Sequence, residues 1–336
     1  MFIKSFPKSV STITPQRISF SGGGTDFPNY FREHEGHVLS STIDKYLYVT
    51  VKKHSSLFNE SYRLSYFKTE HVDNINDIEN DIARECLKLV PYEPPIYIST
   101  TSDLPASSGL GSSSSFAVGL LHALHVMRGE KISIGQLAEE ACEVEINKLG
   151  RPIGKQDQYS VAFGGLNFIS FHKNNRVSID QIWKPGSGSE FLFKDLILLW
   201  TGLQRNSADI LLSQQKNIHQ TKDILHEIKN LALDMRDLVL DSNNRTSKIG
   251  EILDKNWNLK RNLSDNISNQ FIDQNYSKAK SLGAYGGKIT GAGGGGFLML
   301  IVPKESRKKI INALPELVFT PIQYEPEGTR ILSVVN

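Results

Sequence analysis

Apolar, β-branched and aromatic residues dominate the hydrophobic pattern in the first part of the chain. Runs of this kind, which favour strands, cover residues 13–20, 38–43 and 46–51. A helical spacing of apolar positions covers residues 76–89, and residues 96–101 again favour a strand. We therefore predict that the chain begins with a β-rich region that contains one helix.

The middle of the chain alternates between helix and strand patterns. Residues 116–127 have the amphipathic pattern of a helix. A further helix begins at Ser133, which forms a capping box with Gln136, and ends at Gly150. Residues 163–170 then return to strand character.

The second half is predicted to be mostly helical. Residues 191–200 have the pattern of a strand, and residues 207–282 that of several helices, whose charged runs we interpret as solvent-exposed faces. A buried strand at 297–302, a short helix near 305–314 and terminal strands follow. The pattern as a whole predicts an α+β protein.

The length of the chain allows two domains. A chain of 336 residues can bury two cores, and residues 183–190 are rich in turn-forming glycine, serine and proline. We therefore predict a first domain over residues 1–186 and a second over residues 187–336.

Composition narrows the class of protein. Hydrophobic residues make up 39% and charged residues 22% of the chain, and the net charge is +2, which does not indicate a nucleic-acid-binding surface. Cys86 and Cys142 have no metal or redox spacing, and the apolar run 297–302 is too short to span a bilayer. We expect a soluble cytoplasmic protein, a monomer or homodimer, without a nucleic-acid or membrane partner.

The strongest chemical signal is the segment DLPASSGLGSSSS at residues 103–115. It lies between a predicted strand and a predicted helix, so backbone N–H groups and the helix dipole can bind an anion such as phosphate. The alternative is a flexible linker, which is less typical of so short a connection between a strand and an apolar helix.

Two other glycine motifs fail as nucleotide signatures. Residues 291–296 match G-x-G-x-x-G, but they precede a strand, whereas the dinucleotide-binding motif precedes a helix. The pair Gly287-Lys288 does not form a Walker A loop, because position 282 is Leu and position 289 is Ile.

Three segments together resemble a known family. PQRISFSGGGTD (15–26), LPASSGLGSSSS (104–115) and KITGAGGGG (288–296) are similar, in order and position, to the signatures of the GHMP kinase superfamily. The resemblance implies a two-domain fold, with an N-terminal domain like ribosomal protein S5 domain 2 and a ferredoxin-like C-terminal domain. It also implies that ATP and Mg²⁺ bind between them.

The resemblance assigns roles to individual residues. Asp157 corresponds to the catalytic carboxylate and Arg17 to the basic residue beside the acceptor hydroxyl, while Ser113 and Glu145 correspond to the Mg²⁺ ligands. Without the resemblance, Asp157 could be a helix cap and Arg17 a surface ion-pair residue. The expected contacts to ATP are Pro105, Ser107, Ser108, Gly109, Gly111, Ser112, Ser113 and Ser114, and those to the substrate are Gly24, Thr25, Asp26, Gly293 and Gly294.

Details of the first signature narrow the substrate. The form RISFSGGGTD and the segment GKQDQ (154–158) are most similar to bacterial D-glycero-D-manno-heptose 7-phosphate kinases. This implies phosphorylation of the C1 hydroxyl of a sugar phosphate, in the synthesis of nucleotide-activated heptose. A kinase for galactose or L-fucose and a non-catalytic sugar- and ATP-binding regulator are the alternatives. Lys155, Arg151 and Arg205 are candidates for binding the distal phosphate.

Overall fold

The structure is a computed structural model that describes residues 6–183, 188–204, 207–241 and 246–336. Within these ranges the strands are β1 (Ser9–Ser21), β2 (Gly36–Lys53), β3 (Tyr62–Ser65), β4 (Thr69–Val72), β5 (Ile96–Ser102), β6 (Leu166–Phe171), β7 (Val177–Gln181), β8 (Leu196–Trp200), β9 (Gly286–Ile289), β10 (Phe297–Ile301), β11 (Val318–Thr320) and β12 (Arg330–Val335).

The α-helices of the described residues are α1 (Pro28–His34), α2 (Asp81–Leu89), α3 (Ser112–Met127), α4 (Ile134–Cys142), α5 (Gln156–Phe163), α6 (Gly188–Asp195), α7 (Ser207–Lys216), α8 (Lys222–Leu240), α9 (Thr246–Lys260), α10 (Gln270–Ser281) and α11 (Lys304–Ala313). Short 3₁₀ turns cover Ile75–Asp77 and Arg261–Leu263, and a π-helix covers Glu143–Lys148. None of the described helices has the length and apolar character that crossing a bilayer demands.

The first sheet has eight strands built around the long hairpin β1–β2. The order is β12-β1-β2-β5-β3-β4, and β6 also pairs with β2 and then with β7. β2 is long enough to pair with β6 at residues 36–41 and with β5 at residues 47–53. The apolar helix α3 packs on β1 and β2 and is buried along most of its length.

The second sheet is smaller and antiparallel. Its order is β11-β8-β10-β9, and α9 packs against β9 while α8 packs against α9. A buried apolar cluster joins the two sheets, because Phe20 of β1 and Leu39 of β2 belong to the same cluster as Leu198 of β8 and Met299 of β10. This shared core fixes the second unit against the first and so positions the groove between them.

The predicted α+β architecture with two sheet-containing units is confirmed. The predicted boundary between residues 186 and 187 lies outside the described residues and stays a prediction. β12, which follows the second unit in the chain, pairs with β1 of the first sheet.

Some element predictions were wrong in detail. Residues 191–200 are not one strand: the helix α6 ends at Asp195 before β8 begins. A continuous apolar run does not distinguish a buried helix from a buried strand, and α6 packs against α8 and α9. The helix predicted from residue 76 begins at Asp81, where Asn80 Oδ1 accepts a hydrogen bond from Ala83 N at 3.0 Å.

The strands predicted at residues 38–43 and 46–51 are one strand, β2. Its pairing with β1 shifts where Pro15 faces Tyr46 and Gln16 faces Ile43, so a bulge absorbs the two polar residues between the apolar runs. The helix predicted from Ser133 also continues as expected, but its last part is the π-helix. The predicted cap is present: Ser133 Oγ accepts a hydrogen bond from Gln136 N at 3.2 Å.

Candidate active site

A cavity of about 460 Å³ lies between the two units. The first unit contributes the end of β1, the loop before α3 and the segment before α5. The second unit contributes α7, the last residue of α9 and the glycine-rich loop between β9 and β10. The three signature segments therefore meet at one cavity.

The loop before α3 forms one wall. α3 begins at Ser112, inside the serine run and four positions earlier than predicted, so Ser112 and Ser113 lie in its first turn and line the cavity. The residue before it, Gly111, has φ +79° in the left-handed region, which glycine adopts without strain. The N-terminus of a buried 16-residue helix thus faces the cavity, which favours a bound anion.

The glycine-rich loop after β9 packs directly against this wall. A Cβ atom on Gly291 would lie 2.7 Å from Gly109 Cα, and one on Gly296 would lie 2.4 Å from the Ser108 carbonyl oxygen. Thr290 Oγ1 also donates to the Ser108 carbonyl at 3.4 Å. The two loops therefore support each other by direct backbone contact, which depends on glycines at Gly291 and Gly296.

Arg17 and Asp157 form a bidentate ion pair at the cavity. Arg17 Nε and Nη2 donate to the two carboxylate oxygens of Asp157 at 2.8 and 2.6 Å. Arg17 Nη1 donates to the Gly109 carbonyl at 2.7 Å, which ties the pair to the loop before α3. Arg17 is 3% exposed, whereas the Asp157 side chain is 24% exposed, so the carboxylate has access to the cavity. Such a bidentate pair fixes the orientation of the carboxylate.

Asp157 is not a helix cap. It lies in the first turn of α5, whose N-terminal flanking residue is Lys155. Both of its carboxylate oxygens accept hydrogen bonds from Arg17. The geometry therefore leaves Asp157 available for a role in the cavity.

Glu145 is fully buried beneath the first turn of α3. It accepts hydrogen bonds from Ser113 Oγ and Ser114 Oγ at 2.6 Å each and from Gln158 Nε2 at 2.7 Å, and Arg151 Nη1 lies 3.3 Å from it. Burial raises the pKa of this carboxyl, and these donors oppose the increase.

The π-helix places Glu145 in this position. Its wider turn follows α4 directly and turns the side chain towards α3. Among the described residues there is no cluster of three or more His, Cys, Asp or Glu side chains that could hold a metal. Mg²⁺ is typically bound by one or two carboxylates together with phosphate oxygens and water. The oxygen donors of Ser113 and Glu145 fit that pattern.

The turn after β1 brings Asp26 to the opposite wall. Its carboxylate accepts hydrogen bonds from the backbone N–H groups of Gly24 at 2.9 Å and Gln156 at 3.2 Å. Burial, and secondarily the nearby Asp157, raises the pKa of Asp26 to about 6. Thr25 is fully buried and donates to the Gly22 and His37 carbonyls, so it shapes this turn.

The other predicted site residues are distributed on and behind the cavity surface. Those that line the cavity are Arg17, Gly24, Asp26, Ser107, Ser108, Gly109, Gly111, Ser112, Ser113, Asp157 and Gly293. Those that do not line it are the buried residues Thr25, Ser114, Glu145 and Gly294 and the exposed Pro105.

Two candidates for the distal phosphate are described, and both have carboxylate partners. Arg151 lines the cavity but pairs with Asp81 at 2.9 Å as well as with Glu145. Lys155 pairs with Glu139 at 3.1 Å and faces a separate depression. Arg205 lies outside the described residues.

Two buried lysines of the cavity were not predicted. Lys260 is 6% exposed and donates to the Gly291 carbonyl, and Lys288 is 2% exposed and donates to the Phe20 carbonyl at 3.2 Å. In the sequence, Lys288 begins the third signature, but the motif assigns it no contact with ATP or substrate. Lys260 follows Leu253 and Trp257 at helical spacing. This spacing corresponds to the buried face of α9, and not to the charged runs that we interpreted as solvent-exposed.

Comparison with known proteins agrees with this arrangement. Family models for the N-terminal and C-terminal domains of GHMP kinases match residues 77–165 and 235–318. The D-glycero-alpha-D-manno-heptose 7-phosphate kinase of Campylobacter jejuni is 31% identical over 318 residues, covering 91% of this chain and 93% of the relative. The galactokinase of Pyrococcus furiosus is 27% identical over 340 residues, covering 91% and 92%.

Solved structures share the fold along the whole chain. The crystal structure of a D-glycero-D-manno-heptose 1-phosphate kinase from Bacteroides thetaiotaomicron superposes with a TM-score of 0.78, covering 97% of this chain and 100% of that one at 24% identity. The Lactococcus lactis galactokinase complexed with galactose gives a TM-score of 0.74, covering 96% and 95% at 16% identity. These two likenesses concern the fold alone. The matching family models and the relative of 31% identity show that this chain belongs to the GHMP kinases.

Proposed function

We propose that this chain is an ATP-dependent sugar kinase that phosphorylates the C1 hydroxyl of D-glycero-α-D-manno-heptose 7-phosphate. The product is the 1,7-bisphosphate. The observation that carries the proposal is the Arg17–Asp157 pair, which lies at the cavity and is tied to the phosphate-binding loop through Gly109. The substrate follows from the name of the C. jejuni relative and from its similarity along nearly the whole chain.

Phosphoryl transfer requires positioning and charge stabilisation above all. The N-terminal turn of α3 binds the ATP phosphates through backbone N–H groups and the helix dipole. Ser113 and Glu145 hold Mg²⁺, which, when bound, neutralises negative charge on the β- and γ-phosphates. The close contact between the loops at Gly109 and Gly291 keeps this wall in one conformation.

Asp157 acts on the acceptor. Its carboxylate accepts the proton of the C1 hydroxyl as the new bond from that oxygen to the γ-phosphorus forms, while the bond to the leaving oxygen of ADP breaks. Arg17 holds the Asp157 carboxylate in place and stabilises negative charge on the sugar oxygen. Asp26 and the backbone of Gly24 orient the sugar hydroxyls.

A coupled assay of ADP formation across a substrate panel tests the proposal. The panel contains D-glycero-D-manno-heptose 7-phosphate, the same sugar without its phosphate, galactose and L-fucose. We expect the highest kcat/KM for the heptose 7-phosphate. Phosphorus NMR of the product should show a new phosphate coupled to the anomeric proton.

Two results would contradict the proposal. Equal or better turnover of an unphosphorylated sugar would exclude the heptose phosphate and favour a galactose- or fucose-type kinase. Binding of ATP and sugar without ADP formation would favour a non-catalytic regulator.

A further inference from the structure

The ammonium group of Lys260 is buried in the cavity wall, and no carboxylate of the described residues forms an ion pair with it. Lys260 is the last residue of α9, is 6% exposed and lines the cavity. Among the described residues its hydrogen-bond partner is the Gly291 carbonyl, and it has no ion pair with a carboxylate there. A buried charge without an opposite charge is costly, so the protein retains it at the expense of stability.

Unlike Lys260, the two arginines that line the cavity form ion pairs with carboxylates. Arg17 is held by both oxygens of Asp157, and Arg151 is held by Asp81 and Glu145. Both guanidiniums are already compensated by carboxylates, so a further anion gains less from either arginine than from Lys260. Lys260 can add an anionic ligand while it keeps its bond to the Gly291 carbonyl, because an ammonium group has three donors.

Among the described residues, the second unit contributes no acidic side chain to the cavity. The carboxylates that line the cavity, Asp26 and Asp157, both come from the first unit. The second unit contributes Lys260, Lys288, the glycine-rich loop and residues of α7. Its buried cations give this wall the electrostatic character of an anion site.

The anion in question is distinct from the ATP phosphates. Those have the N-terminal turn of α3 and the pair Ser113–Glu145 on the first unit. In the proposed reaction the acceptor binds beside Asp26 and Asp157, and Lys260 of the second unit interacts electrostatically with both carboxylates. Lys260 is therefore a cation that faces the acceptor side of the cavity.

We propose that Lys260 binds the phosphate group that the sugar substrate already carries, and so determines the preference for a phosphorylated sugar. The proposal rests on the proposed function, because it concerns the acceptor of that reaction. Lys260 is a binding residue in this scheme: it contacts the distal phosphate, while Asp157 and Arg17 act at the C1 hydroxyl.

The charged groups around Lys260 give the interaction a pH dependence. Burial and, secondarily, Arg17 lower the pKa of Lys260, Asp26 and Asp157 oppose the decrease, and the resulting pKa is about 8. Lys288 on β9 is the other cation that interacts with it. As the pH rises through about 8, the ammonium of the free enzyme loses its proton, so kcat/KM for the sugar phosphate should fall.

The test compares Lys260→Met and Lys260→Arg with the wild-type enzyme. A hydrogen bond to a charged group stabilises by roughly 1.5–3 kcal/mol, so K260M should lower the ratio of kcat/KM for heptose 7-phosphate to that for unphosphorylated heptose about 10-fold to 100-fold. The KM for ATP should change little. K260R should recover most of the ratio and should lose the decrease in kcat/KM near pH 8.

Lys255→Met is the matched control. Lys255 lies five positions earlier on the same helix, its side chain is 62% exposed, and its neighbour is Glu227 at 4.0 Å. K255M makes the same change of charge without touching the cavity, so its substrate ratio should equal that of the wild type. A rise in the KM for ATP in K260M, or an unchanged substrate ratio, would overturn the proposal. If K260M does not fold, the pH profile of K260R decides in its place.

A separate measurement distinguishes failure of this inference from failure of the proposed function. If the wild-type enzyme does not turn over heptose 7-phosphate, the proposed function fails. Calorimetric binding of D-mannose 6-phosphate, with D-mannose as the reference, then tests Lys260 directly. Two outcomes would contradict the role of Lys260. One is that the wild type binds the sugar phosphate more tightly than K260R does at about pH 9. The other is that the wild type and K260M bind it equally tightly.

Discussion

Three charged side chains of the cavity, Arg17, Asp26 and Asp157, interact although they come from separate segments. Asp157 accepts two hydrogen bonds from Arg17, whereas burial and, secondarily, repulsion by Asp157 raise the pKa of Asp26 to about 6. One carboxylate thus has a direct cationic partner, while the other is kept closer to neutrality by burial. The two acids are therefore suited to different tasks at the same pH.

Replacement of Asp157 by Asn tests its role as base. The amide cannot accept the proton of the sugar hydroxyl, so we expect kcat to fall about 10²- to 10⁴-fold. The KM for ATP should change little, because the phosphate-binding wall is intact. Steady-state kinetics with both substrates measures the two effects. Near-wild-type activity of D157N would show that another group accepts the proton.

The raised pKa of Asp26 predicts an acidic limb in the pH profile. Below a pH of about 6, Asp26 gains a proton and can no longer accept two sugar hydrogen bonds as a carboxylate. We expect kcat/KM for the sugar to fall as the pH decreases through about 6, and the KM for ATP to stay constant. The variant D26N should be less active and should lack this limb. A limb that persists in D26N would assign it to another group.

At the scale of secondary structure, the site depends on the ends of elements. α3 begins inside the serine run, α5 begins one residue before Asp157, and the π-helix turns Glu145 towards α3. Backbone contact between two glycine-bearing loops then fixes the wall that these ends form. Small changes of backbone position at element ends would therefore disturb several site residues together.

Gly109→Ala tests the loop contact, with Gly150→Ala as its control. Both glycines have a positive φ, +78° and +62°, so alanine adds backbone strain at each. A Cβ on Gly109 would lie 2.9 Å from the Thr290 carbonyl oxygen, whereas one on Gly150 meets nothing within 4 Å.

We expect both variants to lose some stability, of order 1 kcal/mol from strain. Only G109A should also raise the KM for ATP, because its loop must move away from Thr290. Thermal melts and ATP kinetics measure the two effects. Equal effects of both variants on the KM would mean that strain, and not the contact, controls ATP binding.

The sequence predicts the chemistry of the site better than its packing. The first two signatures and the segment GKQDQ point to Arg17, the loop before α3 and Asp157, because short motifs carry the residue types that phosphoryl transfer needs. Lys260 could not be found by motif, because it belongs to no signature. Only the spacing of the apolar residues of α9 distinguishes it from an exposed lysine. Residues 191–200 show the same limit, because burial, and not pattern, decides between helix and strand.

At the scale of the whole molecule, the two units share one apolar cluster, and a second buried cation lies beside it. Lys288 of β9 donates to the carbonyl of Phe20 on β1, so it links the two sheets. Burial, with Lys260 and Arg17, lowers the pKa of Lys288 well below its usual value.

The pH dependence of stability should reveal Lys288. The unfolded chain keeps the lysine proton up to about pH 10.4, whereas the folded chain gives it up at lower pH. The unfolded state therefore binds more protons in this range, and the free energy of unfolding should rise with pH. Urea unfolding between about pH 7 and about pH 9.5 should show this gain in the wild type and less of it in Lys288→Met. Parallel curves for the two proteins would contradict the prediction.

The position of β12 has a consequence for the order of events during synthesis. Residues 327–329 pack against the end of α5, where Thr329 N donates to the Val161 carbonyl at 3.0 Å and a Cβ on Gly164 would lie 2.1 Å from the Glu327 carbonyl carbon. The helix that carries Asp157 therefore lacks part of its surroundings while the ribosome is still making the second unit. Although domains generally fold as units, N-terminal first, this first unit must wait for a segment that is translated after the second unit. We expect a nascent chain to acquire its finished catalytic carboxylate only after that segment has emerged.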